Sequence, residues 1–265
     1  MDRHFELTDK FIINAFGAKL FQIKCTRKIK YADIGDLGGY IEKENNLSGD
    51  AWVSGNAQVS GDAQVSGDAQ VSGDAQVSGD AWVYGNAQVY GDARVFGNAQ
   101  VYGNAQVYGD ARVFGNAQVS GDAQVSGDAQ VFGNAWVSGD AWVSGGAQVS
   151  GDAWVYGNAQ VSGDAQVSGD AQVYGDARVS GNAQVSGDAQ VSNDNEHCGF
   201  DCFGSANRHT HSYKTKSGKI EITCGCFRGS IEEFEKQIKE THRGNEFERQ
   251  YIAIVEVIKI KFGLK

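Results

Sequence analysis

One stretch near the C-terminus of this 265-residue sequence concentrates the side chains that can ligate metal or move protons: His197, Cys198, Cys202, His209, His211, Cys224 and Cys226. Cysteine thiolate and imidazole are the usual zinc ligands, and histidine is the side chain that titrates near neutrality. Cys198, Cys202, His209 and His211 are the candidate zinc set. Their spacings, C-x3-C and H-x-H with C-x-C downstream, contain no C-x2-C. Alternation offers another role: "KIEITCGCF" puts Ile220, Ile222, Cys224 and Cys226 on one strand face, as small core residues. His197 and Cys198 are neighbours in sequence only, which defines no activated nucleophile. The expectation is no catalytic residue, no metal and no cofactor, and a protein that leans away from being an enzyme.

The elements that would carry these residues are legible around them. "HSYKTK" and "KIEITCGCF" read as two strands joined at Ser217-Gly218. Ser230 with Glu233 forms a capping box, which opens a helix from about Ile231 to His242 that stops at Gly244. Asn245 with Glu248 opens a second, whose Phe247, Tyr251, Ile254, Val255 and Ile258 recur at helical spacing as a core stripe. At the other end, "FIINAF" and "KLFQIKC" read as a hairpin turning at Gly17-Ala18, and "GDLGGYI" leads onward.

Between these ends the chain says almost one thing. Ala51 to Asp194 is 144 residues, or 24 consecutive hexads of the form A-[QWR]-V-[SYF]-G-[DNG], with one Gly replaced at Asn193. Ala and Val alternate with polar positions, so both can point inward from a short strand. Gly followed by Asp or Asn makes the bend, because these residues tolerate positive φ. A helix fails, since Gly at every sixth position would cost about 1 kcal/mol each. A fixed short period means a solenoid.

The repeat of Val with Ala four residues later resembles the hexapeptide repeat of left-handed parallel β-helices. That resemblance implies a mainly β fold, single-stranded and left-handed, with three hexads per triangular coil of 18 residues. On it, 24 hexads make about 8 coils, roughly 38 Å long at the usual strand spacing. The segments "GDLGGYIEKENNLSGDAWV" (Gly35 to Val53) and "CGCFRGSIEEFEKQIKETH" (Cys224 to His242) are similar to the flanks of phage and prophage hexapeptide-repeat proteins. The implied organisation is an N-terminal β cap and lead-in at 1–50, the solenoid at 51–194, and a ββαα module at 195–265. Acyltransferases of the hexapeptide family resemble one another in a catalytic His on the coil and a loop protruding from a corner. This coil has no His, Lys, Cys or Glu and no insertion.

Sorting the variable positions by register gives three faces. The first carries Phe96, Phe114 and Phe132 with Arg94 and Arg112. The second carries Trp82, Tyr84, Tyr102, Trp136, Trp154, Tyr156 and Tyr174, and the third Trp52, Tyr90, Tyr108 and Trp142. Six successive hexads, Tyr84 to Phe114, have an aromatic before the Gly, so an aromatic belt circles the column. Stacked aromatics stabilise neighbouring strands. Exposed, they also mark interfaces. Trp82, Tyr84, Tyr90, Phe96, Tyr102, Tyr108, Phe114 and Phe132 are the candidate binding residues. One corner stacks Asp74, Asp92, Asp110 and Asp128, which the backbone preference for Asp at a corner explains without calcium.

Charge is uneven. Residues 1–50 hold 8 basic and 8 acidic groups, 51–194 hold 3 Arg and 15 Asp (net −12), and 195–265 hold 12 basic and 10 acidic groups. The acidic middle argues against nucleic acid as a partner. The start "MDRHFELTDK" has no signal-like apolar run, no stretch is long enough for a membrane span, and five cysteines make no disulfide framework, so a cytoplasmic protein is expected. The functional expectation is a non-catalytic rigid spacer or protein-binding scaffold of phage type. The resemblance implies a homotrimer as one arrangement. An acyltransferase-like enzyme and a phage counter-defence protein that sequesters a host factor are the alternatives.

Overall fold

The computed structural model describes residues 3–264; Met1, Asp2 and Lys265, the outermost residues of the two expected end modules, lie outside them. Each hexad supplies one two-residue strand. Twenty-four such strands run from β4 (Trp52–Val53) to β27 (Gln190–Val191). Strands 18 residues apart pair in parallel and in register, as Arg94 with Arg112 and Val95 with Val113. Three parallel sheets result, each with eight coil strands, which makes a β-solenoid of eight turns. Backbone donors reach the next turn, for example Arg94 N to Ala111 O and Phe96 N to Val113 O.

The interior is filled by the Ala and Val of every hexad, which are essentially without solvent exposure along the whole column. The short side chains let three strands meet at about van der Waals distance and leave no room for a ligand. The corners depend on glycine. Gly97 has φ 72°, and a Cβ there would stand 3.1 Å from Gly115 N and 3.2 Å from Gly115 O. Only a residue with no side chain permits both the left-handed backbone and that approach.

Each end is closed by a different device. At the N-terminus, β1 (Phe5–Ile13), β2 (Lys19–Cys25) and β3 (Leu37–Ile41) extend the first sheet, β3 pairing in parallel with the strand at Gln58–Val59. Phe5, Ile23, Cys25, Ile29, Ile41 and Leu47 join the solenoid core and cover its first turn. The expected hairpin is present, but its turn spans Asn14 to Ala18. Asn14 Oδ1 accepts from Phe16 N and Ala18 N, and Gly17 alone has positive φ.

At the C-terminus stands an antiparallel sheet of four strands rather than two: β28 (His197–Phe203), β29 (Arg208–Lys214), β30 (Ile220–Cys224) and β31 (Phe227–Ser230). The outer two were illegible for physical reasons. β28 is broken by a bulge between Phe200 and Phe203, with Cys202 at φ 63°, and β31 has four residues. Helices α1 (Ile231–His242) and α2 (Glu246–Phe262) follow as expected. Ser230 and Glu233 form the capping box, and Asn245 Oδ1 accepts from Phe247 N and Glu248 N. Tyr251, Ile254, Val255 and Ile258 are buried with Ile222, Cys224, Phe234 and Ile238, so the stripe is core. No helix among the described residues is long and apolar enough to cross a membrane.

Candidate functional site

The histidines gather where β29 meets the last turn. Alternation along β29 turns His209, His211 and Tyr213 to one side and Thr210 and Ser212 to the other. On the solenoid side, His211 Nδ1 lies 2.9 Å from Gln184 O, the carbonyl of the sheet's last strand. A carbonyl accepts only, so Nδ1 carries the proton and Nε2 is the acceptor. His197 Nδ1, 3.1 Å away, donates to it. Thr223 Oγ1 also donates to Gln184 O, and Tyr213 Oη meets Ser186 Oγ at 3.1 Å. His209 Nδ1 donates to Asp201 Oδ1 (2.7 Å), and its ring lies across Gly199, where a Cβ would come within 2.6 Å of it. The Nε2 atoms of His197 and His209 are buried without a partner among the described residues.

Burial dominates the titration here. It pushes His211 down to about 3, against the opposing pull of the Gln184 carbonyl. Burial also lowers His197, with Asp194 opposing and Lys261 assisting. Both rings are therefore neutral near pH 7 and serve as hydrogen-bond anchors for the sheet on the coil.

The candidate zinc residues do not converge. Cys198 pairs with Ser212 across the strands, its Sγ 3.1 Å from Ser212 Oγ, and packs against the helix-side core. His209 and His211 lie on the opposite face of the same sheet. Cys202 is exposed at the bulge. Among the described residues no group of three or more His, Cys, Asp or Glu is arranged to hold a metal ion. The Cys198 thiol is pushed up by burial, so the thiolate is disfavoured. The core role read for the downstream cysteines is half right: Cys224 is buried, but the strand ends there, and Cys226 is exposed in the turn after Gly225 (φ 61°).

The aromatic rows stack as the register requires. Tyr84 and Tyr102 lie 4.9 Å apart at 3°, Tyr90 and Tyr108 5.0 Å at 1°, and Phe96 and Phe114 4.9 Å at 1°, with Phe132 a further 5.0 Å along. The belt thus covers all three faces over two turns. Tyrosine hydroxyls are tied down too: Tyr90, Tyr102 and Tyr108 donate to Gln106, Gln118 and Gln124 at 3.2–3.3 Å. Trp82, beside Tyr84, is 48% exposed.

Sequence reasoning missed the corner ladders, where Asn looks like a mere interruption of Asp. Asn98 Nδ2 donates to Asn116 Oδ1, Asn116 to Asn134, and Asn134 to Asp152, at 2.8–3.1 Å. Asn86, Asn104 and Asp122 repeat the pattern on another corner. An amide both donates and accepts, so it propagates a ladder; a carboxylate only accepts, so it ends one. The 18-residue spacing of Asn was the signal that could have revealed them. The belt is therefore a set of pre-ordered apolar strips edged by amides.

No curated protein matches the chain. Its hexads match the family model described as the YdcK beta solenoid repeat, over residues 57–73, 63–79, 69–85, 87–103, 105–121, 123–139, 129–145, 147–163 and 171–187. These windows lie wholly within the coil, and the chain is a β-solenoid repeat protein whose coil is similar to that family's repeat.

Proposed function

We propose that this chain is a non-catalytic β-solenoid that serves as a rigid spacer and a protein-binding scaffold. It meets its partner through the belt of Trp82, Tyr84, Tyr90, Phe96, Tyr102, Tyr108, Phe114 and Phe132. The observation that carries this reading is the parallel ring stacks at 4.9–5.0 Å on all three faces of a column with a solid Val and Ala interior. Rings fixed before contact lose little side-chain freedom on binding, so more of the contact energy appears as affinity. On the same reading the coil is left-handed and of the hexapeptide type, 1–50 and 195–265 are modules at its two ends, and the protein comes from a phage or prophage. Five unpaired thiols suit the cytoplasm. The coil's net −12 repels nucleic acid, leaving a protein as the partner.

The test is capture from host extract by the immobilised full chain, compared with a variant carrying Tyr84→Ser, Tyr90→Ser, Tyr102→Ser and Tyr108→Ser. Serine is what most hexads already have at this position, so the coil is retained. A partner held by the parent and lost by the variant is expected. Equal capture by both, or saturable acetyl-coenzyme A turnover by the parent, would overturn the proposal.

A further inference from the structure

A cavity of about 330 Å³ opens in the C-terminal module, where the turn between β30 and β31 meets helices α1 and α2. That volume is at the small end of the range for ligand sites, about 300–1,000 Å³. Four rings line it and lean on one another. Phe227 and Phe234 have centroids 4.9 Å apart, Phe234 meets Tyr251 edge-on at 5.8 Å, and His242 stacks on Tyr251 at 5.5 Å. Phe234, Ile238 and Tyr251 are buried, while Gln237, Thr241 and Cys226 are exposed at the rim. Gln237 Nε2 donates to Thr241 Oγ1 at 2.9 Å, so those two rim groups are tied to each other.

Two polar groups beside Cys224 are not so committed. Arg208, at the start of β29, is the one permanently charged side chain on the wall. It lies across Gly225, where a Cβ would stand 2.7 Å from Nη1 and 2.8 Å from Cδ. It has neither an ion pair nor a side-chain hydrogen bond among the described residues. The second group is the Tyr251 hydroxyl. Thr210 Oγ1 donates to Cys224 Sγ (3.3 Å), and the Cys224 thiol donates in turn to Tyr251 Oη (3.8 Å). The phenolic proton itself has no acceptor among the described residues. Burial pushes Tyr251 up to about 12, with the nearby Arg208 charge opposing, so this proton is kept near neutral pH. A larger cleft beside the first turns, about 1000 Å³, differs in this respect: its Arg3 and Arg27 are already paired with Glu44 and Asp50.

We infer that the C-terminal cavity binds a small aromatic carboxylate, with its ring among Phe227, Phe234, His242 and Tyr251 and its oxygens on the Arg208 guanidinium and the Tyr251 hydroxyl. A guanidinium presents paired N–H donors in one plane, which a carboxylate matches. Rings prefer tilted and edge-on neighbours, the geometry this wall already has. A phosphate dianion would find no second permanent cation on the wall. Gly225 belongs to the site as well, since any side chain there would displace the guanidinium. The cavity is separate from the aromatic belt, so a chain that holds a protein on its coil can hold this ligand at the same time.

Titration of the full chain with 2-naphthoate, followed by nuclear magnetic resonance of the ligand, tests this, with 2-naphthamide as the uncharged control. The acid is expected to bind saturably at about 1 mM or tighter, and the amide at least about tenfold more weakly. That comparison needs no variant. Arg208→Gln, at an exposed position, should weaken the acid about tenfold to a hundredfold, and Tyr251→Phe about fivefold, with circular dichroism confirming that each keeps its fold. Alkylation by iodoacetamide reads the place independently. Ligand should slow the labelling of Cys226 on the rim and leave that of Cys202, exposed at the β28 bulge, unchanged. No saturable binding up to about 10 mM, equal affinity for the amide, indifference to Arg208→Gln, or equal labelling of Cys226 with and without ligand overturns the inference.

Discussion

Acidification should loosen the C-terminal sheet from the last turn. His211 donates from Nδ1 to Gln184 O and accepts at Nε2 from His197, so a second proton on this buried ring would face the proton that His197 donates. Burial holds its pKa at about 3 in the docked state, against the ordinary value near 6.5 once exposed. Between those values the undocked state binds more protons than the docked one, so docking stability falls as pH falls. From pH 6.5 to 5.0 the undocked ring goes from half to almost fully protonated while the docked ring stays neutral, so the loss is about 1.6 kcal/mol from His211 alone. His197, also lowered by burial, adds in the same direction. The open population should therefore rise at least about fifteenfold. Hydrogen exchange of the peptides spanning 208–224, corrected for the chemical exchange rate, reads this directly. His211→Asn retains an amide donor toward Gln184 O but cannot titrate, and should flatten the pH dependence. Protection that is equal at pH 7 and pH 5 in the parent would refute the anchoring role of this ring.

Two further outcomes test the coil. Gly115→Ala puts a side chain on a residue with φ 73°, its Cβ 3.1 Å from both Gly133 N and Gly133 O. It should destabilise the solenoid by about 1–2 kcal/mol, seen as a lower denaturation midpoint in urea. Asn116→Asp leaves the bond from Asn98 intact but removes the donor to Asn134 Oδ1 and faces that oxygen with a carboxylate. A loss of about 1 kcal/mol at pH 7 is expected, recovered below pH 4 as the carboxyl regains a proton, and a melting curve at the two pH values distinguishes this from simple loss of packing.

Much of the architecture was legible because the hexad carries inward Ala and Val, a corner Gly, and no competing helical period. Those few residues dictate strand, bend and core alike, and the 18-residue register then places every aromatic on its face. The terminal helices were equally readable, since Ser230, Glu233 and Asn245 mark their starts by local hydrogen bonds. The C-terminal sheet was only half visible. Strand β28 contains Gly199, Asp201 and a left-handed Cys202, and what makes it a strand is its pairing with β29, which no local pattern records. The same is true of the His and Cys cluster. Composition suggested a metal, but alternation and sheet pairing send Cys198 and His211 to opposite faces, a separation that depends on the register of strands far from obvious in sequence. The Asn ladders went unseen because they link residues that are 18 positions apart through side chains rather than backbone.

The in-register stacking of one turn on the next has a consequence for how such a chain can change length. Adding or removing 18 residues inserts or deletes one whole storey and leaves every downstream side chain above its former column. A slip of one hexad instead turns everything beyond it by a third of a revolution. Phe114 and Phe132 would then part company with Phe96, Asn runs would meet Asp runs, and the terminal sheet would dock on the wrong corner. The column tolerates growth and shrinkage in steps of three hexads, and the surviving continuity of its aromatic and amide columns is the mark of that ratchet.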